Sequence, residues 1–218
     1  MSYAKDSFAY AIRKLFQNRE NDEKVDWTIV SKDGTKFPVH SYVIMNMSDV
    51  LMAAMTGDFK EKEEKMYKIE DFTNKAVEYF VKFLYCYEIS NINLDLETLK
   101  ELIMMGDMYN VEGLKKAASI NLEKLYTMEN IVEILEFMKK FPDEHEKCLQ
   151  YIVANFQYSR LQSGGVLNKH PEISKLYMDL KAKDQASSSN RCYCYCMGDE
   201  NLMKLGKAYS KHFPHGRC

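Results

Sequence analysis

Two polar residues near the start of the chain are of the types that a hydrolase uses to activate a nucleophile. His40 could act as a general base, and Asp26 could orient its imidazole as the carboxylate of a Ser-His-Asp triad does. No suitably placed nucleophile accompanies them. A single histidine at a helix start is more often a hydrogen-bonded structural residue, so we predict structural roles for both side chains.

Thiol groups are concentrated in the C-terminal segment. The run RCYCYC places Cys192, Cys194 and Cys196 at alternate positions. Zinc sites usually separate paired cysteines by two to four residues, whereas alternate spacing puts three thiolates on one side of an extended strand. We therefore predict no metal and no cofactor, and keep these three cysteines as the alternative ligands.

Sequence motifs for catalysis are absent from the chain. His145 and Cys148 lie one helical turn apart, but two ligands without further partners do not form a metal site. The sequence contains no phosphate-binding glycine-rich loop, no G-x-S-x-G and no H-E-x-x-H. We predict a protein that acts without catalysis.

A single aromatic residue stands among charges in the stretch GDFKEKEEKMYKIEDF, which runs from Gly57 to Phe72. Phe59 there is either a stray aromatic on a solvated loop or an anchor for a partner. We predict that the lysines and glutamates in the middle form a solvated connection and that MYKIED forms a strand.

Composition and charge are those of an ordinary globular protein. The 218 residues are 46% hydrophobic and 28% charged, with a formal net charge of -2, so no field attracts nucleic acid or an anionic membrane. No apolar run approaches the roughly 18 residues that a bilayer crossing needs, and MSYAKDSFAYAIRK lacks the core of a secretion signal. We expect a cytoplasmic or nuclear protein that binds neither nucleic acid nor membrane.

The hydrophobic spacing predicts few strands, all early, and many helices. An amphipathic helix comes first, followed by a β-hairpin from VDWTIV and TKFPV with Gly34 in the turn. Two short helices interrupted near Ser48 come next, and helices follow from Thr73 onward, including one opened by Thr127 and one opened by Pro142. The order predicts an α+β domain followed by an all-α extension.

These elements resemble the BTB/POZ family. The match lies in VDWTIVSKDGTKFPVHSYVIMNMSDVLMAAM, in KAVEYFVKFLYCYEI and in LETLKELIMMGDMYNVEGLKKAASINLEKLY, with Asp26 and His40 at the signature positions. The resemblance is strongest to the speckle-type POZ protein group. Neither the MATH domain of that group nor the Kelch propeller of other members is recognised in this sequence. It implies a BTB/POZ domain over residues 24–126. Residues 127–183 resemble the three-box and a partial BACK region of that group.

The resemblance implies that the protein is an adaptor of a cullin-RING ubiquitin ligase. Adaptors that bind the third cullin have a hydrophobic residue, any residue and then Glu after the second core helix, and Phe59 and Glu61 stand there. The loop MYNVEG adds Tyr109 and Asn110 as expected cullin contacts, with a packed helix end as the alternative for Tyr109. The rival interpretation is an oligomerisation scaffold without cullin binding.

The family also implies self-association through the N-terminal helix, residues 1–23. Phe8, Ile12, Leu15 and Phe16 are the expected contacts of a homodimer, and intramolecular packing is the alternative. A related BTB protein could replace the second copy, in which case the chain would compete with larger adaptors. The substrate protein is unidentified, and residues 184–218 are predicted to be a flexible, cysteine-containing tail. Either this tail, the BTB surface or a dimer partner with its own substrate domain recruits the substrate.

Overall fold

The computed structural model describes residues 2–21, 24–86, 88–89 and 93–188, with side-chain surroundings given between residues 10 and 182. The chain divides into two compact units, Met1–Leu125 and Tyr126–Cys218. The first contains α1 (Ser2–Asn18), a 3₁₀ turn (Arg19–Asn21), β1 (Trp27–Ser31), β2 (Lys36–Val39), α2 (Ser41–Met45), α3 (Asp49–Thr56), α4 (Lys60–Glu64), β3 (Met66–Ile69), α5 (Asn74–Cys86), α6 (Leu96–Met108) and α7 (Glu112–Glu123). The second contains α8 (Ile131–Met138), α9 (Pro142–Asn155), α10 (Tyr158–Ser163), α11 (Val166–Lys169) and α12 (Pro171–Ser188). The α+β architecture expected from the sequence is confirmed.

The described strands form one three-stranded sheet in the order β2-β1-β3. The hairpin expected at its start is present, because β1 and β2 pair antiparallel from Trp27 opposite Val39 to Val30 opposite Lys36. Gly34 in the connecting turn has φ +83°, a backbone conformation that glycine adopts without a steric penalty. The expected strand in MYKIED is also present as β3, parallel to β1.

The core of the first unit contains side chains from both the sheet and the helices. Ile29 and Val39 of the hairpin are completely buried. Apolar residues at helical spacing form the inner face of α5, since Val77, Phe80 and Val81 are all fully buried. Apolar burial of this kind supplies most of the stabilisation of a folded domain.

Helices α6 and α7 approach each other closely at Gly106. A Cβ atom placed on Gly106 would lie 2.6 Å from the backbone nitrogen of Lys115 and 2.9 Å from its Cα. Because these are backbone atoms, no side-chain rotation can relieve the clash. Glycine therefore sets the spacing between the two helices.

The second unit consists of helices throughout its described part. Pro142 occupies the first turn of α9, as predicted. The helix expected to open at Thr127 begins instead at Ile131, because residues 127–130 form a turn. Thr127 and Asn130 close that turn reciprocally: the Thr127 amide donates to Asn130 Oδ1 at 2.8 Å, and the Asn130 amide donates to Thr127 Oγ1.

The C-terminal boundary also differs from the sequence-based prediction. The tail was predicted to begin at residue 184, whereas α12 continues to Ser188. Cys192, Cys194 and Cys196 lie outside the described residues.

A group of titratable side chains lies where α8, α9 and α12 meet. The His170 ring is completely buried, with Nδ1 3.1 Å from Glu172 Oε1 and Nε2 3.4 Å from Glu136 Oε1, the latter outside hydrogen-bonding geometry. His145 faces the same group, and its buried Nε2 has no hydrogen-bond partner among the described residues. Desolvation lowers the pKa of His145, against the attraction of Glu172.

Replacing Gly106 with Ala should lower the free energy of unfolding by about 1–3 kcal/mol, because the added methyl group pushes α6 from α7. The measurement is urea denaturation followed by circular dichroism. Gly164→Ala is the matched control: its Cβ would meet the terminal methyl of Met128 at 2.8 Å, a group that can rotate away, and the Arg160 carbonyl oxygen at 3.1 Å, which need move by only a few tenths of an ångström. Equal losses in the two variants would contradict the steric role of Gly106.

The stability of the second unit should decrease as the pH falls through about 6.5, the ordinary pKa of histidine. The unfolded chain takes up a proton on His145 there, while the folded chain, with its lowered pKa, takes it up only at lower pH. His145→Gln should flatten this part of the profile between pH 7 and pH 5. Thermal unfolding of both proteins across that range checks it, and identical slopes would contradict it.

Candidate functional site

The segment between α3 and β3 contains the exposed aromatic residue. Gly57 follows α3 with extended backbone, and Phe59 precedes α4 in the same extended region, with φ -113° and ψ 160°. The middle of this segment, predicted to be a solvated connection, forms the one-turn helix α4. Glu61 and Glu63 lie in its first turn, where carboxylates interact favourably with the positive end of the helix dipole.

Phe59 presents its ring to solvent at the start of α4. Its side chain is 57% exposed, whereas Glu61, two residues later, is half-buried. Met52 on the preceding helix α3 is a further exposed apolar residue. The charged neighbours of Phe59 distinguished it in the sequence, whereas nothing in the sequence distinguished Met52 from the buried methionines.

Tyr109 and Asn110 stand next to each other but have opposite surroundings. Tyr109 is only 4% exposed, with its ring centroid 5.0 Å from that of Phe80 and 6.0 Å from that of Tyr67. Burial raises the pKa of the Tyr109 phenol. Its ring is therefore a packed helix end, the alternative that the sequence left open, and it is not presented to a partner.

Asn110 is exposed and tied to the beginning of α3. Its φ of 53° lies in the left-handed region, which asparagine tolerates better than most residues. The Asn110 side chain donates from Nδ2 to Asp49 Oδ2 at 3.0 Å. Met108, immediately before the buried Tyr109, is also exposed. Asn110 thus lies at the start of α3, while Phe59 follows its end.

Asp26 and His40 join the hairpin to α2. Asp26 accepts hydrogen bonds from the Ser41 amide, at 2.8 Å, and from Ser41 Oγ, at 2.6 Å, and so caps a helix whose N-cap side chain makes no such bond. His40 is buried, and its amide donates to the Tyr85 hydroxyl at 2.8 Å. Its Nδ1 lies 2.8 Å from the same hydroxyl. These bonds occupy both residues in structural roles.

The N-terminal helix packs on α5 of the same chain. The Phe16 ring lies 5.5 Å from that of Tyr85, and Arg13 forms a 2.8 Å ion pair with Glu88. Phe16, an expected dimer contact with intramolecular packing as the alternative, is half-buried and has this aromatic contact within the chain. Ile12 and Leu15 are half-buried, and the side chain of Phe8 lies outside those described.

Among the residues whose side chains the structure describes, no three His, Cys, Asp or Glu side chains are arranged to hold a metal ion. Among the described helices, none combines the length and the apolar character that a bilayer crossing requires.

The chain is similar to several proteins with larger architectures. It is 28% identical to BTB/POZ and TAZ domain-containing protein 2 of Arabidopsis thaliana over 149 residues, which cover 66% of this chain and 40% of that protein. It is 24% identical to BTB and MATH domain-containing protein 40 of Caenorhabditis elegans, covering 75% and 43% respectively. Human Kelch-like protein 24 is 22% identical, with coverage of 79% and 27%.

The chain therefore spans less than half the length of each of these three relatives. Residues 15–126, about half of the chain, match the model of the BTB/POZ domain. Domains of this class act through self-association or through protein partners. The chain belongs to the BTB/POZ family.

Proposed function

We propose that this protein is an adaptor of a cullin-RING ubiquitin ligase, located in the cytoplasm or the nucleus. It docks onto the third cullin through Phe59, self-associates through α1, and recruits substrate proteins or modulates their recruitment. The observation on which the proposal rests is the exposure of Phe59, at 57%, at the place where cullin-binding BTB proteins have their hydrophobic residue. The membership of the BTB/POZ family supports it.

The surroundings of Phe59 suit an interface better than a stray aromatic. Isolated exposed apolar side chains are common and need no function. Here α3 has an exposed methionine, Met52, and ends just before Phe59, while Met108 and Asn110 lie near its other end. A helix of eight residues is about 12 Å long, so these groups could fall within one protein interface of standard size.

Glu61 adds polarity next to the aromatic anchor. It lies in the first turn of α4, two positions after Phe59. In a complex, a carboxylate beside an aromatic anchor pairs with basic or amide donors of the partner and fixes the orientation of the two proteins. Asp49, at the far end of α3, already accepts a hydrogen bond from Asn110 and would add a second acidic group.

A second candidate function is an oligomerisation scaffold without cullin binding. The observation that favours it is the apolar face of α1, where Ile12 and Leu15 are only half-buried within the chain. Such a face could pair with a second copy, giving a homodimer, or with a related BTB protein. In the latter case the chain would compete with full-length adaptors for the same partner.

Phe59→Glu should weaken binding to purified third cullin by at least about 30-fold, the effect of losing an interface hot spot of about 2 kcal/mol. Isothermal titration calorimetry measures the affinity. The free energy of unfolding should change by no more than about 0.5 kcal/mol, because the side chain is mostly in water.

Ile120→Glu is the matched control for this substitution. Ile120 on α7 is also 57% exposed, so the same charge is introduced at the same exposure on another helix. The control should retain the affinity of the original protein. An undiminished affinity of Phe59→Glu, or an equal loss in both variants, would contradict the proposed docking site.

Ile12→Lys should convert a dimer into a monomer, because a charge in the apolar face of α1 would be desolvated in a two-fold interface. Light scattering coupled to size-exclusion chromatography measures the molar mass. Gln17→Lys, at an exposed position of the same helix, should remain dimeric. A monomeric starting protein at micromolar concentration, or a dimeric Ile12→Lys, would contradict self-association through α1.

A further inference from the structure

The space in which the Phe59 ring lies exists because residue 57 is a glycine. A Cβ atom built on Gly57 would lie 2.6 Å from Cε2 and 2.8 Å from Cδ2 of the Phe59 ring. Real Cβ atoms essentially never come so close to another carbon. The edge of the ring therefore rests directly against the Gly57 backbone, which is why the side chain is partly covered although it projects from the surface.

The glycine is not required by its backbone conformation. Its φ of -70° and ψ of 177° belong to the extended region that every residue adopts. The Gly57 amide donates to the Ala53 carbonyl at 2.9 Å and closes the last turn of α3. What the glycine contributes is the absence of a side chain, and the consequence is steric.

The segment around the ring is held at several points. Lys62 donates from Nζ to the Thr56 carbonyl oxygen at 3.1 Å, and the same Nζ lies 3.9 Å from Asp58 Oδ1. These contacts hold α4 against the end of α3. The Lys62 amide also donates to the Phe59 carbonyl at 3.1 Å. With the backbone on both sides of Phe59 fixed in this way, the position of its ring depends on the space beside Gly57.

We propose that Gly57 is a positioning residue for the docking aromatic: it lets the Phe59 ring lie against the backbone in one orientation before any partner arrives. This inference rests on the proposed function, since the orientation matters only if Phe59 docks. A side chain that is already ordered loses less conformational entropy on binding, so preorganisation increases affinity without adding a contact.

The fluorine NMR resonance of 4-fluorophenylalanine incorporated at position 59 of the full chain tests the position of the ring. In the original protein, the resonance should differ from that of the denatured chain, because the ring edge lies against the backbone. Gly57→Ala should move the resonance toward the denatured value, since the new methyl group displaces the ring. An unchanged resonance in Gly57→Ala would overturn the inference, whatever the cullin measurements show.

A double-mutant cycle with purified third cullin tests the effect on docking. Gly57→Ala alone should weaken binding at least about tenfold, through the loss of the preorganised ring. In a Phe59→Leu background the same change should weaken binding less than about threefold, because leucine has no ring atoms beside Gly57. The crowding of the Ala53 carbonyl, 2.8 Å from the added Cβ, is common to both backgrounds and cancels in the cycle.

The outcomes separate the inference from the proposed function. Equal losses in the two backgrounds would show that Gly57 acts through the backbone of α3 and would overturn the positioning role. Undiminished binding by Phe59→Glu would overturn cullin docking, and the fluorine resonance would then still decide whether Gly57 fixes the ring. A shifted resonance together with unequal losses is the result that we expect.

Discussion

The hydroxyl of Ser48 joins two distant parts of the first unit, and the location of the candidate interface depends on it. Ser48 Oγ donates to the Tyr109 carbonyl at 2.6 Å and accepts a hydrogen bond from the Leu51 amide, which caps α3. Ser48, Tyr109 and Leu51 are all buried, so leaving the Tyr109 carbonyl or the Leu51 amide unpaired would lower the free energy of unfolding by about 1–3 kcal/mol. With Asn110 bound to Asp49 beside it, the start of α3 is fixed to the junction of α6 and α7. The helix then determines where Phe59 emerges.

Local patterns identified the elements whose geometry is set by neighbouring residues. The hairpin follows from alternation and from Gly34, and the inner face of α5 follows from helical spacing. The sequence also located Phe59 through its charged neighbours. Tertiary contacts determined the rest. Tyr109 is buried because Phe80 and Tyr67 surround it, and Phe16 packs within the chain because Tyr85 lies beneath it. The charged stretch forms the one-turn helix α4, and its Lys62 side chain donates to the Thr56 carbonyl at the end of α3.

An exposed aromatic side chain on an ordered backbone is well suited to association. Burying such a side chain contributes roughly 1.5–3 kcal/mol, and this gain is reduced if the segment must first become ordered. In this protein the backbone around Phe59 is tied to α3 by Lys62, and its ring rests against Gly57. The residues that would suggest catalysis are instead structural, since Asp26 binds Ser41 and His40 binds Tyr85. Protein association thus explains more of this surface than catalysis does.

Hydrogen–deuterium exchange of the full chain with and without purified third cullin tests whether α3 and the residues at its two ends form the docking surface. Exchange reports on the amide groups of each segment without any substitution in the protein. We expect slower exchange on addition of cullin in residues 49–65 and 108–110, with little change in α7. Protection confined to other segments, or no protection at saturating cullin, would contradict it.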